Sequence, residues 1–167
     1  MERVQGDLLE LAERGQFDIV VQGCNCFHKM RSGIAKQIAA KYPSVEAADF
    51  ATLKGDRGKL GNFSFAYVDG DNGHRFCAIN AYTQYRWSGY EDVFEYDAFE
   101  TFLNRLCPFI AKGCESMGRR VNVGFPMIGC GYARGDKTRI IPMIERFSDD
   151  VAKWGKVTLV SYGSEKP

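Results

Sequence analysis

Apolar and polar positions along the chain follow two different periods. Short apolar runs, as in 19–21, and alternating apolar residues, as in 63–67, are typical of β-strands. Longer stretches such as 99–110 repeat apolar residues every three or four positions, which is typical of amphipathic helices. On these patterns we predict strands at residues 3–5, 18–22, 63–67, 75–81, 121–126 and 157–162, and helices at 8–13, 34–40, 44–53, 96–117 and 140–154.

Strands and helices alternate through most of the chain. This order predicts an α/β fold, with a largely parallel sheet covered by helices on both faces. The segment Asp69-Gly70-Asp71-Asn72-Gly73 is a hairpin-turn signal between two of the strands, so one pair should be antiparallel and the sheet mixed. Pro43 should separate two helices, and Pro108 should kink the long one. No domain boundary or internal repeat is visible, so we expect one domain.

Composition and charge mainly exclude two classes of partner, nucleic acids and membranes. The 167 residues are 45% hydrophobic and carry a formal net charge of +1, so nothing favours a nucleic-acid surface or attraction to a membrane. No apolar run reaches the roughly 18 residues that span a bilayer. The N-terminus lacks the basic and apolar regions of a signal peptide. We therefore expect a cytoplasmic protein that binds neither membranes nor nucleic acid.

The six cysteines raise the question of disulfides or a metal. A chain of this size without a secretion signal is more typical of free thiols in a reducing cytosol. Cys24, Cys26 and His28 lie close together, but their spacing is not that of a structural zinc site, and no second pair completes four ligands. We expect no metal and no cofactor.

Two glycine-containing loops carry the main chemical signal. The first runs from Gly23 after an apolar strand to Gly33 at the start of a helix, a geometry that presents backbone N–H groups and a helix dipole to an anion. The second follows the strand that ends near Pro126, at residues 128–133. In open α/β sheets, ligands bind at the carboxyl ends of strands. The two loops therefore predict a diphosphate held from two sides by main-chain groups.

Four stretches of the chain match one known family. They are Gly6-Asp7-Leu8, the first loop from Gly23-Cys24-Asn25-Cys26 to Gly33-Ile34-Ala35, residues 80–85, and Pro126-Met127-Ile128-Gly129-Cys130-Gly131. Together they resemble the macrodomains, which bind ADP-ribose, and within them the ADP-ribose 1″-phosphate phosphatase-like proteins and small phage or bacterial stand-alone members. The resemblance implies a three-layer α/β/α fold with a mixed, largely parallel central sheet, and a single macrodomain over residues 1–167.

The resemblance also implies a ligand role for each matching residue. Asp7, with Leu8 beside it, corresponds to the acid that binds the adenine amino group, and it is also an acceptable helix cap. Asn25 corresponds to the residue that contacts the distal ribose, with a structural turn as the alternative. Tyr162 either flanks adenine or is an ordinary core or surface residue. The residues expected beside the diphosphate and distal ribose are Ser32, Gly33, Ile34 and Ala35, and Ile128, Gly129, Cys130, Gly131 and Tyr132.

Catalytic residues are harder to assign because the chain departs from its relatives. Those that hydrolyse ADP-ribosyl esters or ADP-ribosylated bases use a Lys after the middle strand and an Asp just after the second loop. Residues 82–84 and 132–133 supply neither, which disfavours that mechanism. The remaining candidates are His28 as general acid or base, Asp136 to position water, and Asn25. The alternatives are a solvent-exposed loop position for His28 and a helix cap for Asp136.

Three functions follow from this resemblance. The first is hydrolysis of the terminal phosphate of ADP-ribose 1″-phosphate, with Arg31 as an additional cation that either meets this phosphate or points into solvent. The second is a non-catalytic module that binds ADP-ribose or a related nucleotide. The third is hydrolysis of ADP-ribosyl or O-acetyl-ADP-ribose esters. In each case the expected partner is a small ADP-ribose derivative and the expected state is a monomer.

Overall fold

Six strands form one sheet in the computed structural model, which describes residues 1–30, 33–87, 93–131 and 133–163. The strands are β1 (Glu2–Gln5), β2 (Ile19–Cys24), β3 (Phe63–Asp69), β4 (Arg75–Tyr82), β5 (Val121–Phe125) and β6 (Gly155–Ser161). Their order across the sheet is β1-β6-β5-β2-β4-β3. Neighbouring strands are parallel except for β3 and β4. The predicted mixed, largely parallel sheet is confirmed.

Helices cover both faces of the sheet. They are α1 (Leu8–Glu13), α2 (Gly33–Lys41), α3 (Pro43–Phe50), α4 (Tyr96–Met117) and α5 (Lys137–Asp150). Buried residues of α4 and α5 share one hydrophobic cluster with the sheet, and those of α1, α2 and α3 share another. Successive side chains of β2 point to opposite faces of the sheet, so Ile19 and Val21 belong to the first cluster and Val20 to the second. The three-layer α/β/α arrangement is confirmed.

Some helix boundaries differ from the predicted ones where a proline or a cap decides them. Helix α3 begins at Pro43 rather than one residue later, because a proline at the first helical position loses no hydrogen bond. Helix α5 begins at Lys137, three residues earlier than predicted, because the Asp136 side chain caps it. Helix α4 continues past Pro108 to Met117. In the described part of the chain, no helix is long and apolar enough to cross a lipid bilayer.

The strand order decides where a ligand can bind. Strands β2 and β5 are parallel neighbours, so their carboxyl ends at Cys24 and Phe125 lie at the same edge of the sheet. The first loop follows Cys24 and leads to α2, and the second loop follows Phe125 and leads to α5. The topology therefore brings the two glycine-containing loops side by side, as expected for a ligand site in an α/β sheet.

The opposite edge of the sheet is held together by Asp18. Its carboxylate accepts two hydrogen bonds from Arg119, at 2.8 and 2.9 Å, and one from the backbone N–H of Asn122, at 2.8 Å. Its own carbonyl accepts from the N–H of Cys77. Burial alone would raise the pKa of Asp18, but the hydrogen bonds from Arg119 and Asn122 outweigh it and keep the pKa below its ordinary value. Asp18 thus links the start of β2 to β5 through its carboxylate and to β4 through its carbonyl.

We expect Asp18→Asn to lower the free energy of unfolding by about 1–3 kcal/mol at pH 7, since it removes charged hydrogen bonds. A carboxyl whose pKa is lowered in the folded state stabilises the fold above its unfolded pKa of about 3.9, and this contribution is lost as the pH falls through the folded pKa. The difference between wild type and Asp18→Asn should therefore shrink below about pH 4. Urea unfolding across pH measures it, and a difference that does not change with pH would contradict this role of Asp18.

Candidate functional site

Two adjoining cavities lie at the carboxyl edge of the sheet. The loop cavity, of about 280 Å³, is bordered by Asn25 in the first loop and Ile128 in the second. The Asp7 cavity, of about 320 Å³, is bordered by Asp7 and Tyr162. Five residues line both cavities: Gly33, Ile34, Pro126, Met127 and Gly131. The two cavities are therefore halves of one elongated cleft between the loops.

Asn25 shapes the first loop from inside. Its Oδ1 accepts hydrogen bonds from the N–H groups of Phe27 at 2.9 Å and Lys29 at 3.3 Å, and its Nδ2 donates to the Lys29 carbonyl at 2.8 Å. Only 7% of its surface is exposed, and it lines the loop cavity. Asn25 thus combines the two interpretations that the sequence left open, because it forms a structural turn and borders the cleft.

The His28 ring points toward the end of α3. Its Nε2 lies 2.9 Å from the Thr52 carbonyl oxygen and 3.3 Å from the Thr52 hydroxyl, and its ring contacts Phe50 edge-on. A hydrogen bond to a carbonyl requires the proton to be on Nε2. The backbone of His28 is left-handed, with φ of 61°, which turns the side chain at this point of the loop. Asn25 and Lys29, which precede and follow His28 in the sequence, line the loop cavity, whereas His28 is not among the described lining residues of either cavity.

The second loop takes its shape from close packing around glycine. A Cβ on Gly129 would lie 2.3 Å from the Phe94 ring, and its φ of 75° is also unfavourable for other residues. A Cβ on Gly131 would meet no atom of the described residues within 4 Å, and Gly131 lines the cleft. Cys130, between them, is half-buried, and its Sγ lies 3.5 Å from the Ile128 carbonyl. At Gly129 and Gly131 the loop therefore presents main chain to the cleft.

The other end of the cleft is built on the start of α1. The Asp7 carboxylate caps this helix by accepting from the Glu10 N–H at 3.0 Å, and it also borders the cavity. Leu8 lines the cavity and is largely buried, whereas Tyr162 is 67% exposed. Gly6 donates its N–H to the Ser161 carbonyl at 2.8 Å, which joins β1 to the end of β6. Asp7, Leu8 and Tyr162 are thus brought together as predicted.

Asp136 caps α5 at the exposed surface. Its Oδ1 accepts from the Thr138 N–H at 2.9 Å and from the Thr138 hydroxyl at 2.7 Å. These hydrogen bonds keep the pKa of Asp136 below its ordinary value. It is not among the described residues that line the cleft. Of the three candidate catalytic residues, Asn25 is the one that borders the cleft, and the roles of His28 and Asp136 stay predictions.

Most of the other predicted ligand residues line the cleft, and the rest lie outside the residues that the structure describes. Gly33, Ile34, Ala35, Ile128, Gly129 and Gly131 all line the cleft. Ser32 and Tyr132, together with Arg31, lie outside the residues that the structure describes.

Sequence reasoning missed Lys29 and Trp87, which also line the loop cavity. The Lys29 Nζ lies 3.9 Å from the centre of a Trp87 ring. Lys29 is part of the first loop itself, so its position was a usable signal. Trp87 follows the end of β4, and the irregular sequence around it carries no comparable pattern.

Cys24 and Cys26, in the first loop, are held in the thiol form. Burial raises the pKa of Cys26 to about 11 and that of Cys24 well above its ordinary value. A thiol with such a raised pKa is a poor nucleophile and a poor metal ligand at neutral pH. Within the described ranges, no three side chains of metal-binding type converge on one point. The chemistry of the cleft therefore depends on main-chain groups, amides and a few charged side chains.

Comparison with known proteins identifies both relatives and the fold. No protein-family model matches the chain. An uncharacterised 17.5 kDa protein of Enterobacteria phage T4, from the tk-vs intergenic region, is 31% identical over 146 residues, which are 87% of this chain and 88% of the phage protein.

Solved structures match over the full length at lower identity. DarTG of Thermosipho africanus, solved in complex with ADP-ribose, is 14% identical with a TM-score of 0.72, and the match spans all of this chain and 43% of that longer one. The macrodomain of Mycobacterium tuberculosis DarG is 22% identical with a TM-score of 0.70, and the match covers 99% of this chain and all of that one. The chain therefore belongs to the family of the phage T4 17.5 kDa protein, and its fold is the macrodomain fold.

Proposed function

We propose that the cleft binds ADP-ribose or a derivative substituted on the distal ribose. One observation carries the proposal: the Asp7 cavity and the loop cavity share five lining residues and form one elongated cleft. An elongated cleft fits a ligand with two end groups joined by a diphosphate. In this arrangement adenine lies beside Asp7 and Tyr162, the diphosphate between the two loops, and the distal ribose beside Asn25.

The chemistry of the shared lining supports a diphosphate at its centre. Gly33 begins α2, and Gly33, Ile34 and Ala35 line the cleft, so the first turn of this helix lies beside it. Gly131 faces the cleft from the opposite loop without a side chain in the way. Main-chain N–H groups bind phosphate oxygens without the flexibility of lysine or arginine side chains.

The fold neighbours support the same ligand. The Thermosipho africanus DarTG structure contains ADP-ribose, and its match spans the whole of this chain. A Trypanosoma brucei macrodomain has been solved with ADP-ribose and with ADP. The proposal that this chain binds the same ligand rests on its own cleft, since a shared fold alone does not establish a shared ligand.

Hydrolysis of ADP-ribose 1″-phosphate is the finer form of the proposal. A water oxygen would attack the terminal phosphorus, the bond from phosphorus to the ribose oxygen would break, and the water proton would pass to the departing oxygen. The products are ADP-ribose and inorganic phosphate. Asn25 supports this step as the candidate beside the distal ribose, whereas a direct role for His28 or Asp136 requires each to leave its bond to Thr52 or Thr138. A binding module without turnover is the second candidate, and these two engaged side chains favour it.

Replacing Asp7 should weaken ADP-ribose binding. We expect a loss of about 10–100-fold in affinity for both Asp7→Ala and Asp7→Ser, the range for a lost hydrogen bond to a charged group. Serine still caps a helix, so Asp7→Ser separates binding from folding. Calorimetry measures the affinity, and Asp56→Ala, which removes another cap outside the cleft, is the control. Wild-type affinity in both Asp7 variants would contradict the adenine site.

Filling the shared part of the cleft should block binding without unfolding the protein. A Cβ on Gly131 meets no neighbour and its backbone is not left-handed, so we expect Gly131→Ala and Gly131→Val to change the free energy of unfolding by less than about 0.5 kcal/mol. ADP-ribose affinity should fall moderately with alanine and beyond detection with valine. Urea unfolding and calorimetry on the same samples provide the two measurements. Undiminished binding by Gly131→Val would place the ligand elsewhere.

Phosphate release from ADP-ribose 1″-phosphate tests the hydrolytic step. We expect release by the wild type, and a reduced rate in Asn25→Asp, which keeps the acceptor oxygen but loses the amide donor to Lys29. A fall of about 100-fold in His28→Ala or Asp136→Ala, with folding intact, would identify that residue as a general acid or base. Wild-type rates in both would contradict their catalytic roles. Binding without any release by the wild type would favour the module without turnover.

A further inference from the structure

Lys29 and Trp87 form a cationic corner at the Asn25 end of the cleft. Both residues line the loop cavity, together with Asn25 and Gln84. The main chain of Lys29 is fixed on both sides, because its N–H and its carbonyl each bond to the Asn25 amide. The start of the lysine side chain is therefore held in place by the same residue that is assigned to the distal ribose.

The Lys29 ammonium is held against an aromatic cluster. Its Nζ lies 3.9 Å from the centre of a Trp87 ring, a distance at which a cation is attracted to the electrons of the ring. Trp87 contacts Phe27 edge-on at 5.5 Å, and Phe27 contacts Tyr85 edge-on at 4.8 Å. A ring accepts a cation without fully satisfying its N–H groups, so the ammonium keeps donors for a ligand. Among the residues that the structure describes, Lys29 forms no ion pair with a carboxylate.

This geometry distinguishes between two kinds of substituent that the distal ribose could carry at this end, an aromatic group and an anionic group. An aromatic group could stack on Trp87, which is 45% exposed. The ammonium lies over one face of the indole, so an aromatic group would have to stack on the other face or displace the cation. An anionic group meets the ammonium directly. The corner therefore favours a negatively charged substituent.

We propose that Lys29, held on Trp87, binds a phosphate ester carried by the distal ribose, and so makes the cleft prefer ADP-ribose 1″-phosphate to ADP-ribose. This inference rests on the proposed function, because it assigns the charged group at one end of the same ligand. Lys29 acts here as a specificity residue. The diphosphate and adenine contacts are made by other parts of the cleft and do not depend on it.

The test compares two ligands that differ only in the terminal phosphate. Affinities for ADP-ribose and ADP-ribose 1″-phosphate are measured by competition against a fluorescent ADP-ribose analogue, read before appreciable phosphate is released. We expect Lys29→Met, which keeps an apolar stem against Trp87, to lower the preference for the phosphorylated ligand by about 10–100-fold, the range for a charge-assisted hydrogen bond. Affinity for ADP-ribose itself should change less than about threefold, because Lys29 does not contact the rest of the ligand. Lys29→Arg should retain most of the preference.

Arg57 provides a matched control within the same aromatic cluster. Its guanidinium lies 4.0 Å from the centre of the Tyr85 ring, and it is not among the described residues that line the cleft. Arg57→Met removes the same charge from the protein, and we expect it to leave the preference unchanged.

Three outcomes would overturn the inference. An equal loss for both ligands in Lys29→Met would assign Lys29 a structural role. An equal effect in Arg57→Met would show that the preference depends only on the overall charge of the protein. Binding of ADP-ribose by the wild type without a preference for the phosphorylated ligand would remove the inference and leave the proposed function intact. Failure of the wild type to bind either ligand would overturn the proposed function itself.

Discussion

The parallel pairing of β2 with β5 is the constraint on which the rest of the site depends. Only because these two strands are neighbours do the loops after Cys24 and Phe125 emerge at the same edge. The pairing is itself supported by burial, since Ile19 and Val123 lie opposite each other in the register and belong to one hydrophobic cluster. Core packing on one side of the sheet therefore supports the pairing that brings the two loops together.

The Asp18 carboxylate and the cleft lie at opposite edges of the sheet, and the two edges differ in what they contribute. At the amino edge, the half-buried Asp18 carboxylate accepts from main-chain and guanidinium donors and links the starts of β2 and β5. At the carboxyl edge, the start of α2 and the two glycine-containing loops border the cleft. This division follows a common property of parallel sheets, in which the amino edge contributes stability and the carboxyl edge carries the site.

The sequence predicts the fold well because its signals are local and repeated. Apolar periods locate each described strand and helix, and the hairpin signal before β4 correctly makes one pair antiparallel. Strand ends such as those of β2 and β6 are displaced by one or two residues, and the starts of α3 and α5 differ because Pro43 and the Asp136 cap decide the first residue. Local capping at these positions is stronger than the hydrophobic period on which the boundaries were predicted.

The site is predicted less completely because side-chain direction depends on contacts distant in sequence. The glycines of both loops and Asp7 line the cleft as expected. His28 looked equally suitable by sequence, but its left-handed backbone and the Thr52 carbonyl draw the ring toward α3. Trp87 was missed because only the folded chain brings it against Lys29. Chemistry could be inferred from residue types, whereas orientation required the structure.

The second loop has a consequence for how this protein can diverge. Gly129 packs against Phe94 and Gly131 leaves the cleft open, so the loop brings main chain to the cleft at two positions. Mutational drift can then replace most surrounding side chains while the path of the main chain persists. Comparison of residue identities would record such a protein as distant from its relatives. Its recognition surface would nevertheless be preserved in backbone atoms, which sequence identity does not measure.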